Sequence, residues 1–154
     1  MAELSRSTPP SLTDDLTEID KLTIEETEKQ ELRKARVGQG KFRDGLMSEF
    51  SGVCPLTGIS QPDLLRASHI KPWRLSNATE RLDPNNGLLL AANADALFDR
   101  GYISFGQEGG LLFSDALDQS GLSSFGLATE MRIDLGSVAR SNFMKFHREN
   151  IYLA

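Results

Sequence analysis

The feature that most constrains the fold lies in the middle of the chain, where short apolar runs are cut off by proline and by turn residues. Residues 64–70 form one such run, and Pro72 ends it because proline cannot donate a hydrogen bond within a central strand. A second run, residues 88–90, follows Asn86-Gly87, a dipeptide typical of turns. The sequence therefore predicts two short strands separated by a polar loop.

A short helix is expected directly after the second strand. Residues 91–99 have a helical composition, and Gly101 is placed to terminate them, as glycine often does at the end of a helix. Further on, residues 102–105 and 111–114 flank the letters GQEGG and predict a β-hairpin. Residues 138–150 have helical periodicity, with Phe143 and Phe146 as the expected core anchors.

Two helices are expected before the first strand, over residues 23–36 and 41–50, with Gly38 and Gly40 breaking the chain between them. The predicted fold class is α+β. Its core is a strand–strand–helix unit over residues 64–101, to which N-terminal helices, a β-hairpin and a C-terminal helix are added.

The two ends of the chain differ in composition. Residues 1–20 are rich in Ser, Thr, Pro and Asp and predict a disordered acidic leader, which leaves residues 21–154 as a single domain. The first residues lack an apolar signal core, and no apolar run is long enough for a membrane span, so we expect a cytoplasmic protein without a membrane partner. A single cysteine, Cys54, excludes an internal disulfide framework and a zinc site built on several cysteines.

The net charge of −5 is unevenly distributed. Residues 1–30 hold eight acidic and three basic side chains, whereas residues 31–74 hold four acidic and eight basic ones. Residues 75–154 are acidic again, with ten acidic and six basic side chains. Local charge steers phosphate ligands more than net charge does, so the basic stretch is the expected nucleic-acid surface. The candidate phosphate contacts are Lys41, Arg43, Arg66, Lys71, Arg74 and, beyond the stretch, Arg100. Each of the last four is either a phosphate contact or a solvated surface charge.

His69 is the histidine with the more suggestive setting, because it closes the first predicted strand just before a polar loop. It is either a core histidine bonded to a backbone carbonyl or a side chain presented to solvent for chemistry. Asp95 and Asp99 stand four residues apart on the predicted helix and so share one face. Such a pair either is solvated or binds a hard cation such as Mg²⁺.

Taken together, the letters ASHIKPW and ERLDPNNGLLLAANADALFDRGYISF resemble the HNH (ββα-metal) endonucleases. The chain is most similar to the subgroup found in restriction enzymes and prophage genes. The resemblance also includes RVGQGKFRDGLM and the CPLTG turn, and it implies a nuclease that hydrolyses the phosphodiester bonds of DNA.

The resemblance also implies roles for individual residues. His69 corresponds to the general base, and Asn86 to the asparagine that holds the ribbon loop and helps orient that base. Asp95 and Asp99 correspond to the ligands of one divalent ion, Mg²⁺ or Mn²⁺ rather than Ni²⁺ or Zn²⁺. Two letters depart from the pattern, because aspartate stands at the third motif position and Ser68 stands where a ligand often precedes the base.

Alternatives remain open at this point. An HNH-shaped module that has lost cleavage would bind DNA or a protein, and a structural protein of a phage particle is a third reading. A homodimer is possible. Trp73 either stacks on a base or anchors the core beside Pro72, and we favour the core anchor. Cys54 is expected to be a small buried residue, and His147 to close the domain without a catalytic role.

Overall fold

The structure, a computed structural model, describes residues 12–154, without the side chains of Leu12 and Gln119. Helices and short antiparallel strands alternate, so the α+β fold class is confirmed. The helices are α1 (Leu12–Asp20), α2 (Glu26–Glu49), α3 (Ala78–Leu82), α4 (Ala92–Asp99), α5 (Gln119–Ser124) and α6 (Val138–Asn150). The strands are β1 (Leu65–His69), β2 (Gly87–Ala91), β3 (Ile103–Phe105) and β4 (Leu111–Phe113). Within the part of the chain that the structure describes, no helix is both long and apolar enough to span a membrane.

The chain divides into two compact units, Met1–Lys41 and Phe42–Ala154, and the boundary falls inside α2. In the first unit, α1 forms where the sequence predicted the second half of a disordered leader, so that part of the prediction is wrong; residues 1–11 lie outside the described residues. Two ion pairs explain the order of α1, because Arg33 binds Asp20 and Arg36 binds Asp15. That residues 21–154 form one domain stays a prediction.

The predicted break in α2 at Gly38 and Gly40 is also wrong, since the helix runs without interruption from Glu26 to Glu49. A glycine in a helix interior costs only about 1 kcal/mol relative to alanine, which tertiary packing outweighs. In the second unit that packing comes from Phe42 and Leu46, which are 2% and 0% exposed.

The core of the second unit is an antiparallel ribbon of β1 and β2, in which His69 pairs with Gly87. The chain turns directly from β2 into α4, as predicted. Gly87 does not form the expected turn but begins β2 in an extended conformation. A Cβ atom there would lie 2.5 Å from Cζ of Phe42 and 2.8 Å from Cδ1 of Leu46, so glycine lets α2 pack against this end of the ribbon.

The segment between the two strands is more ordered than the predicted loop. Trp73–Leu75 form a 3-10 turn, and α3 follows. The helix begins with a capping box: the Asn77 side chain accepts from the Glu80 N–H at 2.9 Å, and the Glu80 carboxylate accepts from the Asn77 N–H at 2.9 Å. Both groups satisfy N–H donors that a helix start leaves unpaired, which explains why so short a helix forms.

The predicted hairpin and C-terminal helix are confirmed as β3–β4 and α6. Of the two expected core anchors, Phe143 is partly buried and packs against the core, whereas Phe146 is partly buried and does not belong to it. Met144 and His147 are buried instead, at 0% and 1% exposure. Arg140 is also buried, and it binds the Glu49 carboxylate and the carbonyl oxygen of Gly87, which ties α6 to α2 and the ribbon.

Candidate active site

His69 occupies the last position of β1 and is held on two sides. Its ring stacks on Phe42, with 4.0 Å between the ring centroids and an angle of 3° between the planes. Its Nε2 atom lies 2.9 Å from the carbonyl oxygen of Arg81, at the end of α3. A carbonyl oxygen can only accept a hydrogen bond, so Nε2 carries the proton and donates it.

This hydrogen bond determines what the other ring nitrogen can do. With the proton on Nε2, the neutral ring has its lone pair on Nδ1. Among the described residues, no group forms a hydrogen bond with Nδ1 of His69. Every buried polar side-chain atom of these residues has a hydrogen-bond partner, so Nδ1, which has none, is exposed to solvent. Burial lowers the pKa of His69; the bond to the Arg81 carbonyl opposes this shift and the charge of Arg81 adds to it. Near neutral pH the ring is therefore uncharged and able to accept a proton.

Asn86 is fully buried just before β2 and bonds to the segment that follows His69. Its Oδ1 accepts from the Lys71 N–H at 2.8 Å, and its Nδ2 donates to the carbonyl oxygen of Glu80 at 3.1 Å and to Oγ of Ser76 at 3.3 Å. The Glu80 carbonyl belongs to the residue before Arg81. Asn86 thus holds the end of α3, and through it the carbonyl that His69 binds.

A small polar cluster lies where α4 packs on β1. Ser68, which is 5% exposed, lies close enough to the Asp95 carboxyl to lower its pKa. Burial raises the pKa of Asp95, the charge of Asp99 raises it further, and Ser68 and the charge of Arg66 lower it. The structure therefore brings both aspartates to one place, as their spacing predicted, and adds a hydroxyl and a guanidinium to them.

The chemistry of this cluster fits one kind of metal ion. Two carboxylates one helical turn apart offer hard oxygen donors, and a cation between them would relieve the repulsion that raises the Asp95 pKa. Mg²⁺ needs no more than one or two carboxylates, because it retains waters and binds substrate phosphates. Across residues 12–154, no group of three or more His, Cys, Asp or Glu side chains is arranged to hold a metal. The donors present therefore suit Mg²⁺ or Mn²⁺ better than Zn²⁺, which prefers a fuller set of nitrogen and sulfur ligands.

His69 and the acidic pair are separate groups in the free protein. Successive side chains of a strand point to opposite faces, and His69 packs on Phe42 while the preceding Ser68 meets Asp95. Neither Asp95 nor Asp99 is among the groups that shift the pKa of His69.

The predicted phosphate contacts fall into two groups. Arg43 donates to the carbonyl oxygens of Leu65 and Pro62 at 2.9 and 2.7 Å, so its guanidinium holds the start of β1 rather than standing free. Lys71 is likewise engaged, in a half-buried ion pair with Glu80 at 3.0 Å. The remaining four candidates are exposed: Lys41, Arg66, Arg74 and Arg100. For Arg74 and Arg100, no side-chain partner occurs among the described residues.

Three further residues singled out in the sequence, Cys54, His147 and Trp73, differ in their burial. Cys54 is buried at 1% exposure, as expected. His147 is buried between β3 and α4, where it donates to the Phe98 carbonyl and accepts from the Ser104 hydroxyl, so it belongs to the core. Trp73 is 44% exposed, and the preferred core-anchor interpretation is therefore wrong.

Comparison with known protein families identifies the segment that contains this site. Residues 54–106 match the family model of the HNH endonucleases, and no curated protein matches the chain. The matched segment covers the ribbon and α4, with His69, Asn86, Asp95 and Asp99. HNH nucleases act on nucleic acids and generally use a divalent metal ion. The ribbon and helix over residues 54–106 are thus a domain of the HNH endonuclease family.

Proposed function

We propose that this protein is a DNA endonuclease that hydrolyses phosphodiester bonds with His69 as the general base. The observation that carries the proposal is the hydrogen bond from Nε2 to the Arg81 carbonyl, because it leaves a solvent-facing lone pair on Nδ1. The lowered pKa keeps that lone pair available near neutral pH.

In this reaction Nδ1 of His69 accepts a proton from a water molecule as the water oxygen attacks phosphorus. The new P–O bond forms while the bond to the leaving oxygen breaks, and that oxygen takes up a proton from solvent. The ring then carries a positive charge, which the Arg81 carbonyl stabilises through the Nε2–H bond. Phe42 keeps the ring plane fixed during the transfer, so that Nδ1 stays in the same place.

Asp95 and Asp99 are the residues that would hold a divalent ion, with Mg²⁺ and Mn²⁺ best suited to their oxygen donors. Such an ion supplies positive charge to the phosphate and to the leaving oxygen. Ser68 lowers the pKa of Asp95 and so favours its charged form.

The first test is plasmid cleavage with Mg²⁺, Mn²⁺ or EDTA, in which wild type is compared with His69→Ala. Removal of a general base is expected to lower the rate by roughly 10²- to 10⁴-fold. Glu149→Ala, an exposed change on α6, is the control and should cleave like wild type. Full activity of a folded His69→Ala protein would remove His69 from the mechanism.

The second test concerns the ion. Calorimetric titration with Mn²⁺ should show weaker binding to Asp95→Asn than to wild type, and none to the protein with both Asp95→Asn and Asp99→Asn. Each substitution keeps the side-chain shape and removes one negative charge. Equal binding to the doubly substituted protein would show that the ion is held elsewhere.

The third test concerns the DNA surface, for which Arg74 and Arg100 are the exposed candidates of the second unit that have no side-chain partner among the described residues. Changing both to glutamate should weaken binding to all sequences about equally, because contacts to phosphate do not read bases. The log–log slope of affinity against salt should also become shallower, by about 0.9 for each phosphate of duplex DNA that the protein no longer neutralises. Lys145→Glu, which alters an exposed residue of α6, is the control for a change of charge alone.

A second candidate function rests on the surroundings of Asp95. Ser68 and Arg66 already offset part of its charge without a metal, which suits an HNH-like module that binds DNA or a protein but does not cut. Such a module would bind DNA in the third test and show no cleavage with any metal in the first. Membership of the restriction or prophage subgroup, a cytoplasmic location and a homodimer stay predictions.

A further inference from the structure

Trp73, the single tryptophan of the chain, is exposed beside the proposed base. It lies in the segment that leads from His69 to Asn86, and 44% of its surface is accessible. Two other apolar side chains of the same segment, Leu75 and Leu82, are 47% and 54% exposed. An exposed indole is unusual, because tryptophan loses more by exposure to water than most side chains do.

The backbone that carries Trp73 is held in place. Its carbonyl oxygen accepts from the Ser76 N–H at 3.2 Å and from Nε of Arg81 at 2.9 Å. The hydroxyl of Ser76 donates to the carbonyl oxygens of Lys71 and Pro72, and itself accepts from Asn86. The indole is thus presented from an ordered turn, and little conformational entropy is lost when a ligand binds to it.

Arg81 connects this indole to the base. Its guanidinium carbon lies 3.6 Å from the centroid of the Trp73 ring, so the charged group covers one face of an indole that is 44% exposed. The backbone carbonyl of the same residue accepts the Nε2–H of His69. Arg81 therefore contacts both the indole and the proposed general base.

We propose that Trp73, backed by Arg81, is a stacking platform for an unpaired base of DNA next to the phosphate whose hydrolysis His69 promotes as general base. Charge favours this occupant, since Arg74 is exposed beside Trp73 and the nearest acid of the segment, Glu80, is already paired with Lys71. A base in the interior of a duplex hides both of its faces in the stack, so an unpaired base is the occupant that covers the indole away from duplex ends. The inference rests on the proposed function and adds a preference for single-stranded or locally open DNA.

The test uses the fluorescence of Trp73, which no other tryptophan obscures. Wild-type protein in EDTA is titrated with a single-stranded oligonucleotide and with an abasic oligonucleotide of the same length, which keeps the phosphates and lacks the bases. We expect quenching and tight binding with the first, and weak binding without quenching with the second. Equal responses to the two oligonucleotides, or to single-stranded DNA and blunt duplex, would overturn the platform.

Substitution of the indole gives an independent measurement. Stacking of a base on an aromatic ring is worth about 1–3 kcal/mol, so Trp73→Leu should weaken binding of the single strand by about 5- to 150-fold. The same variant should bind the abasic oligonucleotide like wild type, and Trp73→Phe should recover most of the affinity for the single strand. A folded Trp73→Leu protein that binds both oligonucleotides like wild type would refute the assignment.

The outcomes separate this inference from the proposed function. If quenching by single-stranded DNA occurs and no metal supports cleavage, the platform stands and the nuclease assignment fails. If plasmid cleavage depends on His69 while DNA leaves the fluorescence unchanged, the nuclease assignment stands and the platform fails.

Discussion

Acidification is expected to destabilise the second unit through His147, which does not take part in the proposed chemistry. The side chain is 1% exposed, and its ring stacks on Phe98 with 3.9 Å between the centroids. Its Nε2–H donates to the Phe98 carbonyl at 2.9 Å, and its Nδ1 accepts from the Ser104 hydroxyl at 2.8 Å. Burial is the main reason that the pKa of His147 falls to about 4; the Phe98 carbonyl and Asp99 oppose the shift, and Arg148 adds to it.

The stability lost on acidification can be calculated from the difference between the pKa of His147 in the folded and in the unfolded state. In the unfolded chain the pKa of His147 is 6.5, so between pH 6.5 and pH 4 the unfolded state binds a proton that the folded state excludes. The stability that this neutral histidine contributes is complete above pH 6.5 and is lost as the pH falls towards 4. At about 1.36 kcal/mol for each pH unit, the full loss is about 3 kcal/mol, of which about 2 kcal/mol appears between pH 7 and pH 5.

The assay is urea unfolding at pH 7 and pH 5, followed by the fluorescence of Trp73. His147→Gln keeps a hydrogen-bond donor and an acceptor but does not titrate. It should be less stable than wild type at pH 7 and should not show the loss of about 2 kcal/mol on acidification. His69→Gln is the matched control, because it removes the other histidine and leaves the effect of His147 in place. The reasoning is refuted if His147→Gln loses as much stability between pH 7 and pH 5 as wild type does.

Three further predictions concern the site. Cleavage should increase as the pH rises through the pKa of His69, with its midpoint below pH 6.5, because burial lowers that pKa; rates between pH 5 and pH 8 check this, and a midpoint above 6.5 contradicts it. Gly87→Ala should lower the free energy of unfolding by about 1–3 kcal/mol and displace Phe42 from His69, which reduces activity; unchanged urea unfolding would count against this packing. Asn86→Ala should lower the free energy of unfolding by about 1–3 kcal/mol, because it leaves the part-buried N–H of Lys71 without its acceptor. Activity should fall as well, and a variant as stable as wild type would show that water replaces the amide.

Much of the fold was predictable because its signals are local in the sequence. Proline and glycine bounded β1 and α4, and the GQEGG turn identified the hairpin of β3 and β4. The capping box of α3 was also present in the letters, as Asn77 followed three residues later by Glu80, and it was missed. The error at Gly38 and Gly40 has a different origin, because intrinsic propensity is a small energy that packing outweighs.

The candidate site residues could be named from the motif, but their environments could not be predicted from it. The spacing of Asp95 and Asp99 placed both carboxylates on one helical face, and the structure brings them to Ser68. Nothing in the motif showed that Arg43 binds two backbone carbonyls, because the partners of a long flexible side chain depend on which strand passes near it. Lys71 is engaged by Glu80 for the same reason.

The sequence by itself determined the element types around the ribbon and the residues that meet there, because turn chemistry and helical periodicity act over a few positions. The tertiary structure alone decided which nitrogen of His69 is free, since that depends on a carbonyl 12 residues away and on a helix outside the matched segment. It also decided that Trp73 is exposed while His147 and Arg140 are buried. Burial and tautomer depend on contacts between distant parts of the chain, and a linear pattern does not contain them.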